Sequence, residues 1–243
     1  MVSYLDIDDD LLFPDSDGQP MADNTEQYEW IVKIKENLEI IFADDPRVFI
    51  AGDLLWYPLR STLVSPVAPD VMVAFGRPKG RRGSYRQWQE ENIAPQVVFE
   101  ILSPKNTKAE MSRKLEFYDT YSVEEYYLYN PMRCRLQGWQ RQGENLREII
   151  PINDWISPRL GMRFIWDKSS LELYRPDGEK FLTTVELESQ MRQEKKRADK
   201  EQKRADKEQK RADKEQKRAD KEKQRADRLA ERLQALGLSL EEE

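Results

Sequence analysis

Two short stretches decide how this chain is organised: PDVMVAF at residues 69–75 and VVFEILSP at residues 97–104. Both are rich in β-branched and aromatic residues, which favour strands. Each carries an acid, with Asp70 directly after Pro69 and Glu100 inside an apolar run. Side chains alternate between the faces of a strand, so Glu100 shares its face with Val98 and Leu102. A carboxylate on an apolar face is costly unless a positive group compensates it. We therefore expect such a group beside Glu100.

Lys114 is the candidate for that group. It lies in a predicted helix over roughly residues 107–121, on one stripe with Phe117, Tyr118 and Tyr121, and so next to the buried face. Each residue alone also has a structural interpretation. A Pro-Asp pair before a strand is usually a turn, an acid in a strand can be a salt-bridged strand end, and a lysine at a helix boundary commonly extends its amine to solvent.

Together, the three residues suggest a metal centre. If Asp70 and Glu100 lie on neighbouring strands, their carboxylates can converge with a backbone carbonyl on one Mg²⁺, an ion that prefers oxygen ligands. An amine such as Lys114 could then orient a metal-bound water and stabilise an anionic transition state. The strength of the prediction lies in the order of acid, acid and lysine on strand, strand and helix.

The rest of the chain predicts an α/β domain with a mixed sheet flanked by helices. A helix over roughly residues 26–43 ends at Asp44-Asp45-Pro46, because the residue before a proline avoids the helical region. Further strands are predicted over roughly residues 47–57, 67–75, 96–102 and 123–129, in a hairpin of residues 133–140 and 145–150, and near residues 162–166 and 171–174.

Charge and composition divide the chain into three parts. Residues 1–24 are predicted to be an acidic irregular leader, residues 25–180 the folded domain, and residues 181–243 a long charged C-terminal helix. The net charge of −6 is uneven, since residues 1–29 carry nine acids and no base. The domain between the two ends is close to neutral, which neither requires nor forbids a nucleic-acid partner.

The predicted C-terminal helix repeats the heptad RADKEQK, which begins at Arg197, Arg204 and Arg211. One interpretation is a coiled coil that forms a homodimer, and the other is a single solvated helix. The Ala/Gln seam of the repeat buries little, whereas stable coiled coils use branched apolar residues there. From the first repeat onward, leucines occur only late and begin with Leu229, Leu233 and Leu236, which makes that end the better anchor for a dimer.

Composition excludes several classes of function. The sequence has no histidine and one cysteine, Cys134. Hydrolases with a Ser-His-Asp or Cys-His centre, histidine-ligated zinc sites and disulfide frameworks are therefore excluded. The N-terminal MVSYLDIDDD does not resemble a signal peptide, and no apolar run is long enough for a membrane helix. We expect a soluble cytoplasmic protein whose chemistry uses carboxylates, lysine and a hard metal.

These motifs also carry a family resemblance. Pro69-Asp70 followed by Glu100-Ile101-Leu102 resembles the PD…(D/E)XK signature of restriction-endonuclease-like nucleases. More narrowly, PDVMVAF, VVFEILSP, the stretch KLEFYDTYSVEEYYLYNP and the charged terminal helix are similar to a bacterial restriction-endonuclease domain family, over roughly residues 25–175. The resemblance implies the restriction-endonuclease-like fold, in which helices flank a mixed sheet.

The resemblance further implies an endonuclease that hydrolyses phosphodiester bonds, with DNA as the expected substrate and Mg²⁺ or Mn²⁺ as the cofactor. It assigns metal ligation to Asp70 and Glu100. One departure is that Leu102 stands where the signature has its lysine. Lys114 could supply the missing amine. Two alternatives are a catalytically silent member of the fold that binds nucleic acid or protein, and a scaffolding protein that acts through its charged helix.

Secondary candidates surround this centre. Asp53, Glu29 and Ser103 are possible accessory groups, although Asp53 is better explained by a bend after Gly52, and Ser103 by capping of the following turn. A glycine-punctuated loop over residues 76–92 could grip a phosphate backbone or remain solvated. Its basic residues are Arg77, Lys79, Arg81, Arg82 and Arg86.

Overall fold

The computed structural model describes residues 9–18 and 20–235. Four α-helices and eleven strands occur in this part of the chain. The helices are α1 (Asp9–Leu12), α2 (Thr25–Ile41), α3 (Lys108–Thr120) and α4 (Thr184–Ala235). The strands are β1 (Val48–Gly52), β2 (Trp56–Tyr57), β3 (Val71–Phe75), β4 (Tyr85–Arg86), β5 (Val97–Ile101), β6 (Glu125–Asn130), β7 (Arg135–Gln142), β8 (Asn145–Glu148), β9 (Trp155–Ile156), β10 (Arg163–Trp166) and β11 (Leu171–Tyr174).

The main sheet has six strands in the order β1-β3-β5-β6-β7-β8. Only β5 and β6 run parallel, joined through α3, and the other neighbours are antiparallel. A three-stranded sheet of β11, β10 and β9 and a short pair of β2 and β4 complete the domain. The mixed sheet with flanking helices confirms the α/β prediction.

The two faces of the sheet have separate cores, as strand alternation requires. On one face, Ile31, Ile34 and Leu38 of α2 pack against alternate residues of β3 and β5, such as Val71 and Phe99. On the other face, the core contains the intervening residues of the same strands and the buried side of α3. Glu100 belongs to the α3 face because it alternates with Phe99.

The predicted strand over residues 47–57 is divided in two. Asp53 adopts a φ of 48°, in the left-handed region, and separates β1 from β2. Its backbone N–H lies within hydrogen-bond distance of the carbonyls of Pro69 and Asp70, at 3.1 and 3.3 Å. The bend predicted after Gly52 is therefore present. It also ties Asp53 to the residues that lead into β3.

The leader is more ordered than predicted over residues 9–18. Phe13 is 2% exposed and packs edge-on against Tyr57 and Trp88, with ring centroids 5.4 and 4.8 Å away. The Tyr57 hydroxyl donates to the Pro14 carbonyl at 2.7 Å, and Arg86 Nη2 donates to the Phe13 carbonyl at 2.7 Å. An apolar anchor inside an acidic segment explains the difference, because charge density alone had suggested irregular structure.

The C-terminal helix α4 runs for 52 residues, none of them buried. Residues just beyond position 180 still belong to the sheet region, since Phe181 is fully buried and its N–H donates to the Leu173 carbonyl at 2.8 Å. The predicted domain boundaries at residues 24 and 180 stay predictions. Leu236, predicted as a dimer anchor, lies outside the described residues. No helix in the described ranges has the length and apolar character to span a membrane.

Candidate active site

Asp70, the residue directly before β3, lies opposite Glu100 of the adjacent strand β5. β3 and β5 are antiparallel with Val71 paired to Phe99, and the same register carried one residue further places Asp70 against Glu100. Residues directly opposite in an antiparallel pair project to the same face. The N–H of Ile101 donates to Asp70 Oδ2 at 2.6 Å, which fixes this carboxylate beside β5. The two acids therefore meet although 29 residues separate them in the sequence.

Helix α3 supplies two partners to the Glu100 carboxylate. Lys114 Nζ lies 2.7 Å from Oε2, and the Tyr118 hydroxyl donates a short hydrogen bond to Oε1. Lys114 and Tyr118 are four residues apart, so both project from one side of the helix. Glu100 is only 2% exposed. Both oxygens of the Glu100 carboxylate thus accept hydrogen bonds, one from a lysine amine and one from a tyrosine hydroxyl.

The electrostatics of the cluster disfavour a second ionised carboxylate beside Glu100. Burial, and then the negative charge of Glu100, raise the pKa of Asp70 to about 8, against the lowering effect of Lys114. Burial alone would lower the pKa of Lys114, but the charges of Glu100 and Asp70 raise it above its ordinary value. One amine is therefore insufficient for two buried carboxylates, and a further cation would stabilise both acids as anions.

Gln27 is a member of the cluster that the sequence analysis missed. Its side chain is buried at the start of α2, and Nε2 donates to the Ile101 carbonyl at 2.9 Å. A hydrogen bond from this amide also lowers the pKa of Asp70. A signal was present in the sequence, because Gln27 occupies the same helical stripe as Ile31, Ile34 and Leu38.

Asp53 lies at the edge of the cluster. Burial and the charge of Asp17 raise its pKa, and the charges of Lys114 and Glu100 also act on it. Its backbone contact with the Asp70 carbonyl adds a positional link. The structure therefore brings Asp53 near Asp70 and Glu100. The backbone bend at Asp53 holds it there.

The other two accessory candidates do not join the pair. Glu29 is exposed and lies two residues from Gln27, about 200° around α2, so the structure does not bring it to the pair, and its accessory role stays a prediction. Ser103 caps its own turn, accepting from the Lys105 N–H at 3.2 Å, and its hydroxyl donates to Asp23 at 2.6 Å. Its acidic partner is therefore Asp23 of the leader.

The basic loop is largely committed to internal contacts. Arg77 and Arg82 each donate from Nε to Glu90, at 2.9 and 2.6 Å. Arg86 is buried and holds the leader, and Lys79 Nζ donates to the Phe42 carbonyl at 2.6 Å. These contacts leave few of the loop's basic side chains free for phosphates.

Arg81 is the exception among the five basic residues of the loop. It is exposed, and among the described residues it has no hydrogen bond or ion pair. Nucleic-acid binding by this loop stays a prediction, and Arg81 is the residue most available for it.

The acids present fit a hard divalent cation only in part. Within residues 9–18 and 20–235, no group of three or more acidic or cysteine side chains is placed to hold a metal ion. Two carboxylates with a shortage of positive charge nevertheless match the donor chemistry of Mg²⁺ or Mn²⁺, ions that complete their shell with carbonyls and water. The residues that would hold such an ion are Asp70 and Glu100.

The mixed sheet, with its acid pair and its lysine on the adjoining helix, is of the restriction-endonuclease-like class. The chain belongs to the Uma2 family, described as "Putative restriction endonuclease", whose family model matches residues 18–172. A solved structure described as "a putative nuclease belonging to DUF820 from Anabaena variabilis ATCC 29413" is similar over 58% of this chain and 74% of that chain, with 13% identity and a TM-score of 0.43. No curated protein matches the sequence.

Proposed function

We propose that this protein is an endonuclease that hydrolyses phosphodiester bonds in DNA with the help of a divalent cation. The observation that carries the proposal is the placement of Asp70 opposite Glu100, with Lys114 Nζ 2.7 Å from Glu100. Membership of a restriction-endonuclease family supports the same chemistry. The family match alone would not say which residues act, whereas this cluster supplies the candidates.

Each residue of the cluster has a distinct part in the proposed reaction. When bound, Mg²⁺ or Mn²⁺ acts as a Lewis acid and lowers the pKa of a coordinated water. Asp70 and Glu100 are the proposed ligands. Lys114 holds a positive charge beside them, and Tyr118 orients Glu100 through its hydrogen bond. Lys114 thereby stands in for the amine that Leu102 cannot provide.

A catalytically silent binding module is the second candidate, and one observation favours it. Both oxygens of Glu100 are already engaged, by Lys114 and Tyr118, and Asp70 Oδ2 accepts from the Ile101 N–H. Such a fully bonded cluster can stabilise the fold without any ion. A cytoplasmic location and a homodimer formed through the leucine end of α4 also stay predictions.

Metal-titrated cleavage separates the two candidates. Purified full-length protein is incubated with plasmid DNA and increasing Mg²⁺ or Mn²⁺, alongside Asp70→Asn, Glu100→Gln and the control Glu116→Gln, an exposed acid of α3. We expect cleavage that requires the cation and falls by about 100-fold or more in the first two variants, as for other losses of transition-state charge stabilisation. Glu116→Gln should match the wild type.

Other results would decide against the nuclease. Cleavage that Asp70→Asn leaves unchanged would place the activity elsewhere in the preparation. Absence of cleavage with either cation, together with retained DNA binding, would favour the silent binding module.

A further inference from the structure

The repeats of α4 segregate their charges around the helix. At about 100° per residue, the first, fourth and seventh positions of RADKEQK fall within an arc of about 120°. These positions are all basic, as in Arg204, Lys207 and Lys210, and they recur from Arg197 to Lys221. We call this arc the basic face. Alanine and glutamine occupy the opposite side, and the acids lie at the two flanks.

The basic face is exposed and has no internal partner. Every residue from Arg197 to Lys221 is exposed. Across the described part of α4, no lysine or arginine of the repeats forms an ion pair within 4.0 Å. The flanking aspartates instead accept from glutamines one turn earlier, as Asp206 does from Gln202 at 2.9 Å and Asp213 from Gln209 at 2.9 Å. Positive charge is therefore available along the whole face.

Pairing of the repeats with a second copy is disfavoured by their flanks. If Ala198 and Gln202 form the seam, the adjoining positions are occupied by Asp199 and Glu201. These are the positions at which coiled coils place interhelical salt bridges, and here both are acidic. Two such helices would bring like charges together in either orientation. The basic face would meanwhile remain outside the pair.

The chemistry of the helix selects among polyanionic partners. A helix that binds a lipid surface buries a broad apolar face, and the side opposite the basic face offers only alanine and glutamine. Proteins that bind single strands stack bases on aromatic side chains, and residues 184–235 contain no aromatic residue. The basic face therefore fits a regular row of backbone phosphates and needs no contact with the bases.

We propose that the basic face binds the phosphate backbone of duplex DNA independently of sequence. Its length suits this partner, since Arg197 to Lys221 span about 36 Å, close to one turn of duplex. This role for the basic face rests on the proposed function, which favours DNA over other polyanions as the partner. Contact with DNA would concentrate the enzyme on its substrate without selecting a site.

A charge-matched comparison tests the proposal in the full-length protein. Lys200, Lys207 and Lys214 are changed together to Gln, which removes three charges from the centre of the basic face. In the control, Gln202, Gln209 and Gln216 are changed together to Glu, which lowers the net charge equally on the opposite side. A third variant changes the same three lysines to Arg and keeps the charge. Circular dichroism at 222 nm checks that helicity is preserved.

Binding is measured by fluorescence anisotropy with a labelled 30-base-pair duplex in EDTA, over a range of salt concentrations. We expect the Lys→Gln variant to bind at least about tenfold more weakly, with the slope of log K against log salt reduced by about 2 to 3. The Lys→Arg variant should match the wild type and the Gln→Glu control should lose much less. Because EDTA prevents metal-dependent cleavage, this result is independent of whether the candidate site is a nuclease.

Several outcomes would overturn the proposal. Equal losses in the Lys→Gln and Gln→Glu variants would indicate a response to net charge alone. Unchanged binding in the Lys→Gln variant, or weakened binding in the Lys→Arg variant, would exclude the face as a phosphate surface. Tighter binding to phosphatidylserine vesicles than to the duplex would assign the face to lipid.

Discussion

The carboxylate of Glu100 is buried in an environment where its desolvation costs free energy. It is 2% exposed among apolar side chains, and Lys114 and Tyr118 occupy both of its oxygens. Buried ion pairs are weak stabilisers relative to apolar groups, but removal of one partner leaves an uncompensated charge. We therefore expect changes to the Lys114–Glu100 ion pair to alter the free energy of unfolding in a specific way.

Lys114→Met should destabilise the protein by about 2 kcal/mol, because the buried carboxylate of Glu100 loses its cationic partner. The usual cost is discounted because Lys114 is partly exposed. Addition of Glu100→Gln to Lys114→Met should restore most of this loss. Urea unfolding of the two single variants and the double variant measures the coupling. A double variant no more stable than Lys114→Met would contradict the structural role of the pair.

Glu125 shows why an acid in an apolar strand does not by itself define a site. It is 1% exposed in β6, as deeply buried as Glu100. Its carboxylate accepts from the hydroxyls of Ser157 and Tyr127 and from the Arg159 N–H, at 2.7 Å for the last of these. Burial raises its pKa, and these donors oppose the rise. Its partners are neutral donors, whereas Glu100 has a lysine and a second acid beside it.

At the level of elements, the leader is attached to the domain by side-chain packing and by hydrogen bonds. Phe13 fills a small core with Leu55 and Tyr57, and two hydrogen bonds hold the backbone of residues 13 and 14. Asp15 accepts from the Ser84 hydroxyl at 2.8 Å. One aromatic side chain thus anchors a segment that is otherwise acidic.

Phe13→Ala should lower the free energy of unfolding by about 3 kcal/mol, the cost of a large cavity in a core. Amide hydrogen exchange over residues 9–16 should accelerate in the same variant. Leu11→Ala is the matched control, because Leu11 is 79% exposed and its truncation should change stability by less than about 0.5 kcal/mol. Equal stabilities of the two variants would show that the leader does not depend on Phe13.

On the scale of the whole molecule, the chain consists of two compact units, Met1–Thr184 and Val185–Glu243. The first unit contains the sheets and the candidate site. The described residues of the second, 185–235, belong to the single helix α4 and contribute nothing to a core. The two units are therefore expected to respond differently to truncation.

Deletion of residues 185–243 should leave the urea midpoint of the first unit unchanged, because none of residues 185–235 has a buried side chain. Ellipticity at 222 nm should fall by the share of α4. Light scattering on the full-length and truncated proteins tests the predicted homodimer. If α4 pairs two copies, the full-length protein should have the mass of a dimer and the truncated protein the mass of a monomer. A lowered midpoint would mean that the first unit depends on the tail.

The sequence alone was sufficient for the features that follow from local periodicity. The β-branched and aromatic residues within 69–75 and 97–104 predicted strands with one acid each, and the stripe that contains Lys114 predicted the face of α3 that meets Glu100. The turn at Asp53 followed from its glycine. These properties depend on neighbours a few residues away, which is the range over which a pattern carries information.

The tertiary structure decided which charges are free and which are paired. Arg77, Arg82 and Arg86 looked like a phosphate-binding row, but Arg77 and Arg82 pair with Glu90 of the same loop. Arg86 donates to the Phe13 carbonyl, 73 residues away in the sequence. The contact of Gln27 with Ile101, 74 residues away, was equally hidden. The physical reason is that the partner of a buried polar group is selected by packing, and packing joins residues whose separation along the chain no local pattern records.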